Sequence, residues 1–228
     1  GRINGLYQIL ETLLTQYPHL MLECCGGGGN RIDLGSLKRT HSCWCSDTMS
    51  HPHLYHAMLL NANILLPSNY LGSSLGWPLF ERLKNRPDVV RHPDAGLHDL
   101  SFISRMAGMP FLHGRIADWS DDSRSHARHW TGVYKKIRHL LMKDYYRTLP
   151  QPHSEADWDA GQFCDGTAEG LVFVFRWAGV TDNRKLVLHS LDASKSYLFR
   201  DEGSGKEVVY SGDVLITEGL PVNLPSNS

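Results

Sequence analysis

The chain has 228 residues, 41% hydrophobic and 21% charged, a globular composition that excludes a disordered tail and allows a sizeable core in one large unit or two smaller ones. Its formal net charge is −1 and its isoelectric point about 7.0, so no field of one sign marks the whole molecule for nucleic acid or anionic lipid. The longest apolar runs, such as HAMLLNANILLP, fall short of the roughly 20 residues of a membrane helix, and GRINGLYQIL lacks a signal peptide's layout, so neither a nucleic-acid nor a membrane partner is expected.

Taken in order, Gly5 to Tyr17 carries Leu6, Ile9, Leu10, Leu13 and Leu14 at the spacing of a helix with one apolar face, and Pro18 ends it. HLMLECC is a short apolar run bounded by Pro and Gly, which suits a strand buried on both faces of a parallel sheet. Four consecutive glycines follow, then Asn30, Arg31, Ile32 and Asp33. DLGSLKRTH can form a short helix with Asp33 near its start, and SCWCS is a second compact run that leads to Asp47. HPHLYHAMLLNA reads as helix, NILLPSNY as strand, LHDLSFISRMAG as helix and MPFLHGR as strand. Asp121 to Tyr146 carries the clearest helical stripe, through Trp130, Val133, Tyr134, Ile137, Leu140 and Leu141, with acidic residues at its start and basic ones near its end. From Phe163 onward no helical period is visible. GLVFVFRW, KLVLHSL, SYLFRD, KEVVYSG and GDVLITEG are strand-like runs broken by turn residues, and the Pro-rich polar stretch LPQPHSEADWDAG reads as a linker at 150 to 160.

This order predicts an α/β unit over 1–150 followed by an antiparallel β-domain over 160–228. In a parallel α/β barrel the chemistry lies at the C-terminal ends of the strands. Cys25 to Arg31 leaves one such end and Ser46-Asp47 caps the next. Glycine permits close approach of a ligand, arginine can recognise hydroxyl or carboxylate groups, and a carboxylate can move a proton. Each feature has a plainer reading: a glycine turn, a paired arginine, a capping aspartate. The glycine run has neither the Lys-Ser/Thr pair of a phosphate loop nor the spacing of a dinucleotide fingerprint. Five cysteines, an odd number, do not suggest a disulfide framework, so a reducing, cytoplasmic setting is expected. The spacings of Cys24 and Cys25 and of Cys43 and Cys45 do not suit zinc, which leaves buried strand cysteines and no metal. The thirteen histidines, among them His51, His53 and His56, read mainly as solvated or capping groups.

LECCGGGGNRIDLGSLKRTHSCWCSD resembles the part of family 36 glycoside hydrolases, the melibiase-type α-galactosidases, where Glu-x-Cys and several glycines precede Arg-x-Asp and the next strand ends in Ser-Asp. GLYQILETLLTQYPHL, YKKIRHLLMKDYYRTL and GDVLITEGLPVNLP resemble, more loosely, the preceding helix, the last barrel helix and the end of the β-sandwich. The resemblance implies the C-terminal half of a (β/α)8 TIM barrel followed by an antiparallel β-sandwich, and a retaining two-carboxylate hydrolysis of α-galactoside oligosaccharides without cofactor. It places Asp47 as acid/base, and Cys25, Gly26, Gly27, Arg31 and Trp44 in the substrate pocket, with the glycines admitting the sugar. The family's nucleophile lies on a Trp-Asp strand with a nearby lysine, ahead of the first helix here, and the chain carries no such motif there. The chain alone is therefore expected to be inactive and, as half a barrel with open edges, to self-associate. A carbohydrate-binding scaffold and an α-N-acetylgalactosaminidase are the other readings.

Overall fold

The computed structural model describes residues 1–47, 52–76, 99–113, 116–154, 157–166, 168–178 and 181–225. Helix α1 (Arg2–Gln16) precedes strand β1 (Glu23–Cys24). Helix α2 (Leu34–Leu37) leads to β2 (Ser42–Trp44), α3 (Pro52–Ala62) to β3 (Leu71–Gly76), and α4 (Asp99–Ile103) to β4 (Met109–His113). Among the described residues these four strands form one parallel sheet in chain order, with Cys24 opposite Cys43, Trp44 opposite Gly72 and Ser74 opposite Phe111. Helix-to-strand alternation therefore folds as expected. The bounds are corrected in two places. NILLPSNY is a turn and a tight helical turn at Ser68–Tyr70, and the strand is the following LGSSLG, whose serines are buried. β1 is only two residues long and half exposed rather than covered on both faces.

Helix α5 (Asp121–Ile137) begins at Ser120, whose side chain accepts from the Ser123 amide. It stops nine residues before the Tyr146 of the sequence expectation. Leu140 and Leu141 still bury, in a separate turn, and Tyr145–Arg147 becomes β5. β5 pairs antiparallel with β6 (Trp158–Phe163), which pairs with β7 (Leu171–Arg176). The last four residues of the expected linker, Trp158 to Gly161, therefore belong to β6, and all six residues of that strand are buried. β8 (Asn183–Leu186) pairs with β11 (Leu220–Asn223), and β9 (Ser196–Arg200) with β10 (Glu207–Ser211). GDVLIT is not a strand but helix α6 (Gly212–Thr217), capped by the Ser211 hydroxyl. Its alternating Val, Leu and Ile mimic a strand, yet only Gly212 and Leu215 are buried, as in a short helix lying on one face.

One apolar core joins Cys43, Leu59, Leu71, Phe102 and Trp130 to Phe163, Phe173 and Phe175, so the β5–β7 sheet packs directly on the α/β part. A second gathers Ala160, Leu186, Leu188, Leu215 and Leu220. Across the first runs a buried polar chain. Asp159 of β6 accepts from His56 Nδ1 at 2.8 Å and from Arg147 Nη2 at 2.6 Å, and His56 Nε2 lies 3.1 Å from His53 Nδ1. A carboxylate only accepts, so neutral His56 donates through Nδ1–H and accepts at Nε2 a hydrogen bond from the His53 Nδ1–H. The His56 ring stacks on Phe175 with centroids 4.0 Å apart. These two histidines are thus core residues, not the solvated or capping groups expected, while His51 lies outside the described residues.

Burial holds the His56 imidazole below its ordinary range, against the opposing pull of Asp159. The unfolded chain takes up this proton near pH 6.5, whereas the folded chain resists it to lower pH. Stability from this group is therefore complete above about pH 6.5 and falls as pH drops toward the lower folded value. Urea unfolding between pH 5 and 8 is expected to give a steeper acid-side loss for the wild type than for His56→Gln. Parallel slopes would remove His56 from the account.

Candidate active site

Parallel strands send their C-terminal loops to one edge, so the glycine loop after β1 and the segment after β2 emerge side by side. Gly27, Gly28 and Gly29 have φ of 63, 67 and 94°, the left-handed region that a Cβ disfavours. Space is refused as well. A Cβ on Gly28 would stand 2.8 Å from the Asp47 amide nitrogen and 3.0 Å from its Cγ, and one on Gly29 would stand 2.4 Å from the Cys45 carbonyl oxygen. At Gly26 the obstacle is the Arg31 side chain, with Cδ at 2.6 Å. The sequence predicts glycines that make room for a sugar; in the fold, the missing side chains of Gly26, Gly28 and Gly29 also make room for Arg31, Asp47 and Cys45.

The loop is tied internally. The Asn30 amide donates to the Gly27 carbonyl at 2.9 Å, and the Cys24 thiol to the Arg31 carbonyl at 3.2 Å. The Arg31 side chain is exposed and makes no hydrogen bond or ion pair to the described residues, so its guanidinium is available to a ligand. Cys25 is exposed at the start of the loop. Asp33 is spent locally. It accepts from the Ser36 amide and the Tyr7 hydroxyl, each at 3.0 Å, and the Ser36 bonds first of all hold its carboxyl below the usual range.

Asp47 is exposed beyond the end of β2. Its Oδ1 accepts a hydrogen bond from the Trp44 indole N–H at 2.8 Å. Trp44 in turn packs on Phe111 of β4, ring centroids 5.4 Å apart. Asp47, Trp44, Gly26 to Gly29 and Arg31 thus share one edge. Gly28 and Gly29 were not singled out in the sequence, although the unbroken run of four glycines was the signal for them. The chain's one Trp-Asp pair, Trp158-Asp159, lies in buried β6, where His56 and Arg147 occupy the carboxylate.

Cys43 on β2 and Cys45, one residue past its end, bury their sulfurs 3.5 Å apart. The contact with Cys43, together with burial, pushes the Cys45 thiol up. No group of three or more His, Cys, Asp or Glu side chains among the described residues is arranged to hold a metal ion. No described helix is long and apolar enough to cross a membrane. A recess of about 500 Å³ lined by Leu13, Tyr17, Pro18 and Leu20 lies at the other end of the sheet, where β1 begins.

Comparison with known proteins bears on this edge. The melibiase family model matches residues 2–144. Over 224 residues the chain is 25% identical to the bifunctional alpha-galactosidase/sucrose kinase AgaSK of Mediterraneibacter gnavus, a match covering 96% of this chain and 22% of that protein. It is 28% identical over 223 residues to the alpha-galactosidase AgaA of Geobacillus stearothermophilus, covering 95% and 28%. The solved galactosidase domain of AgaSK superposes with a TM-score of 0.77 at 23% identity, over 98% of this chain and 30% of that one. The chain spans about a quarter of the length of these curated relatives. The match runs through α1, the glycine loop and the Ser-Asp strand end to the end of the α/β part, and the chain belongs to the melibiase family.

Proposed function

We propose that this chain supplies the acid/base half of a retaining α-galactosidase site, with Asp47 as the proton-transferring carboxylate. The observation that carries this is the exposed Asp47 carboxyl at a parallel strand end, bonded to Trp44 and facing the glycine loop, in a melibiase chain. In the first step Asp47 gives its proton to the glycosidic oxygen as the bond to the anomeric carbon breaks, and a second carboxylate bonds to that carbon. In the second step the Asp47 carboxylate takes a proton from water, whose oxygen attacks the anomeric carbon and frees the nucleophile. Cys25, Gly26, Gly27, Arg31 and the ring face of Trp44 line the sugar, with the Arg31 guanidinium donating N–H hydrogen bonds to its hydroxyl oxygens. Doubly substituted variants of AgaA have been solved with raffinose and with stachyose, and α-galactosides of this kind are the substrate class proposed here.

The four parallel strands act as the C-terminal half of a (β/α)8 barrel over 1–150, with a β-sandwich over 160–228, and the nucleophile strand comes from a longer polypeptide. Two features support the missing half. β1 has β2 as its one described neighbour, leaving an open edge. On α1 nothing is buried, and Ile3 and Ile9 are 64% and 59% exposed. Such an edge beside an apolar helix face needs a cover. The chain by itself would hydrolyse nothing and would self-associate.

The experiment is Asp47→Asn in the polypeptide that unites this chain with the nucleophile strand. Turnover of raffinose, whose leaving group is an unactivated sugar hydroxyl, is expected to fall about 10²–10⁴-fold. A nitrophenyl α-galactoside, which needs little proton donation, should lose far less. Equal losses on both substrates would make Asp47 structural.

A further inference from the structure

The geometry around Asp47 assigns a second residue to the proton transfer, an inference that rests on the acid/base reading above. An indole N–H is a donor only. Because Trp44 donates to Oδ1, that oxygen must accept whether Asp47 is charged or neutral. The neutral acid therefore carries its proton on Oδ2. Oδ2 turns toward the glycine loop, 3.2 Å from the point where a Cβ on Gly28 would stand. The missing Gly28 side chain thus makes room for Asp47 itself and leaves Oδ2, the oxygen that holds the proton, against the glycine loop.

Trp44 is held in place from further back in the sheet. Its partner in β3 is Gly72, and without a side chain there Phe111 reaches across β3 to the indole. A Cβ on Gly72 would meet Phe111 Cε1 at 3.2 Å and the Cys43 carbonyl oxygen at 2.6 Å. Phe111, Trp44 and Asp47 form a line over three strands whose last member is the carboxyl.

We propose that Trp44 is the positioning residue of Asp47, binding Oδ1 so that the proton passes to the substrate from Oδ2 on the Gly28 side, with Phe111 as the support of the indole. The polar edge of Trp44 then serves Asp47 rather than the sugar.

The test is Trp44→Phe, which keeps a ring against Phe111 and deletes the N–H, in the full polypeptide containing this chain. Raffinose kcat is expected to fall about 10–100-fold with KM unchanged, and nitrophenyl galactoside turnover about twofold. Phe111→Leu should give the same substrate pattern more weakly, and the double variant should lose little beyond Trp44→Phe. In ¹⁵N-labelled protein, the Trp44 indole N–H resonance should be displaced in Asp47→Asn, which takes the carboxylate acceptor away. A raised raffinose KM at unchanged kcat would make Trp44 a sugar contact and overturn the proposal. So would an indole resonance indifferent to Asp47→Asn. If the indole responds to Asp47→Asn but that variant leaves raffinose turnover intact, the acid/base reading itself fails and the proposal with it.

Discussion

Replacing Asp159 by asparagine is expected to cost about 3–5 kcal/mol of unfolding free energy, the range for removing one partner of a buried ion pair. The carboxylate is 1% exposed and accepts hydrogen bonds from two sides, His56 and Arg147. An amide of the same shape offers one acceptor and one donor. If its oxygen faces Arg147, its NH₂ confronts the donating Nδ1 of His56. Turning His56 to the other tautomer then puts its Nε2 proton against the one on His53 Nδ1. In each arrangement the guanidinium, 13% exposed at its side chain, loses its counter-charge. Urea unfolding should show the loss. The exposed pair His139 and Glu169 gives a control, because Glu169→Gln is expected to change stability by less than about 1 kcal/mol. A loss below about 1 kcal/mol for Asp159→Asn would mean that the pair only offsets its own desolvation.

Gly29→Ala is expected to be nearly as damaging, about 2–5 kcal/mol, because strain and overlap add. The residue sits at φ 94° and its Cβ would fall 2.4 Å from the Cys45 carbonyl oxygen, a backbone atom that cannot swing away. Gly27→Ala separates the two effects. There φ is 63° and the nearest atom is the Asn30 amide nitrogen, at the end of a side chain that can move. Its cost should stay near the backbone term alone, about 1–2 kcal/mol. Equal thermal shifts for the two variants would mean that the loops are not pressed together as described.

The sequence carried the fold where an apolar period or a capping residue meets a clear boundary. The α1 stripe before Pro18, Asp33 as the cap of α2, and the Ser-Asp strand end were all readable for that reason. β6 was not. Its Asp159, Gly161 and Gln162 look like linker, and they are tolerated in the core because Asp159 is paired and Gln162 exchanges bonds with the His189 backbone 27 residues away. No local pattern announces partners at that distance. The same holds at the site. Motif placed Asp47 and the glycines, whereas the Trp44 bond and the reach of Phe111 over Gly72 depend on register between three strands, which the sequence does not print.

Gly28 and Gly29 lie against Asp47 and Cys45 closely enough that neither loop can change shape alone. For anyone exchanging segments between relatives, the interval from Cys25 to Asp47 is therefore a single cassette. A graft of either loop by itself should yield a mismatched seam, whereas the interval moved whole brings its own fit with it.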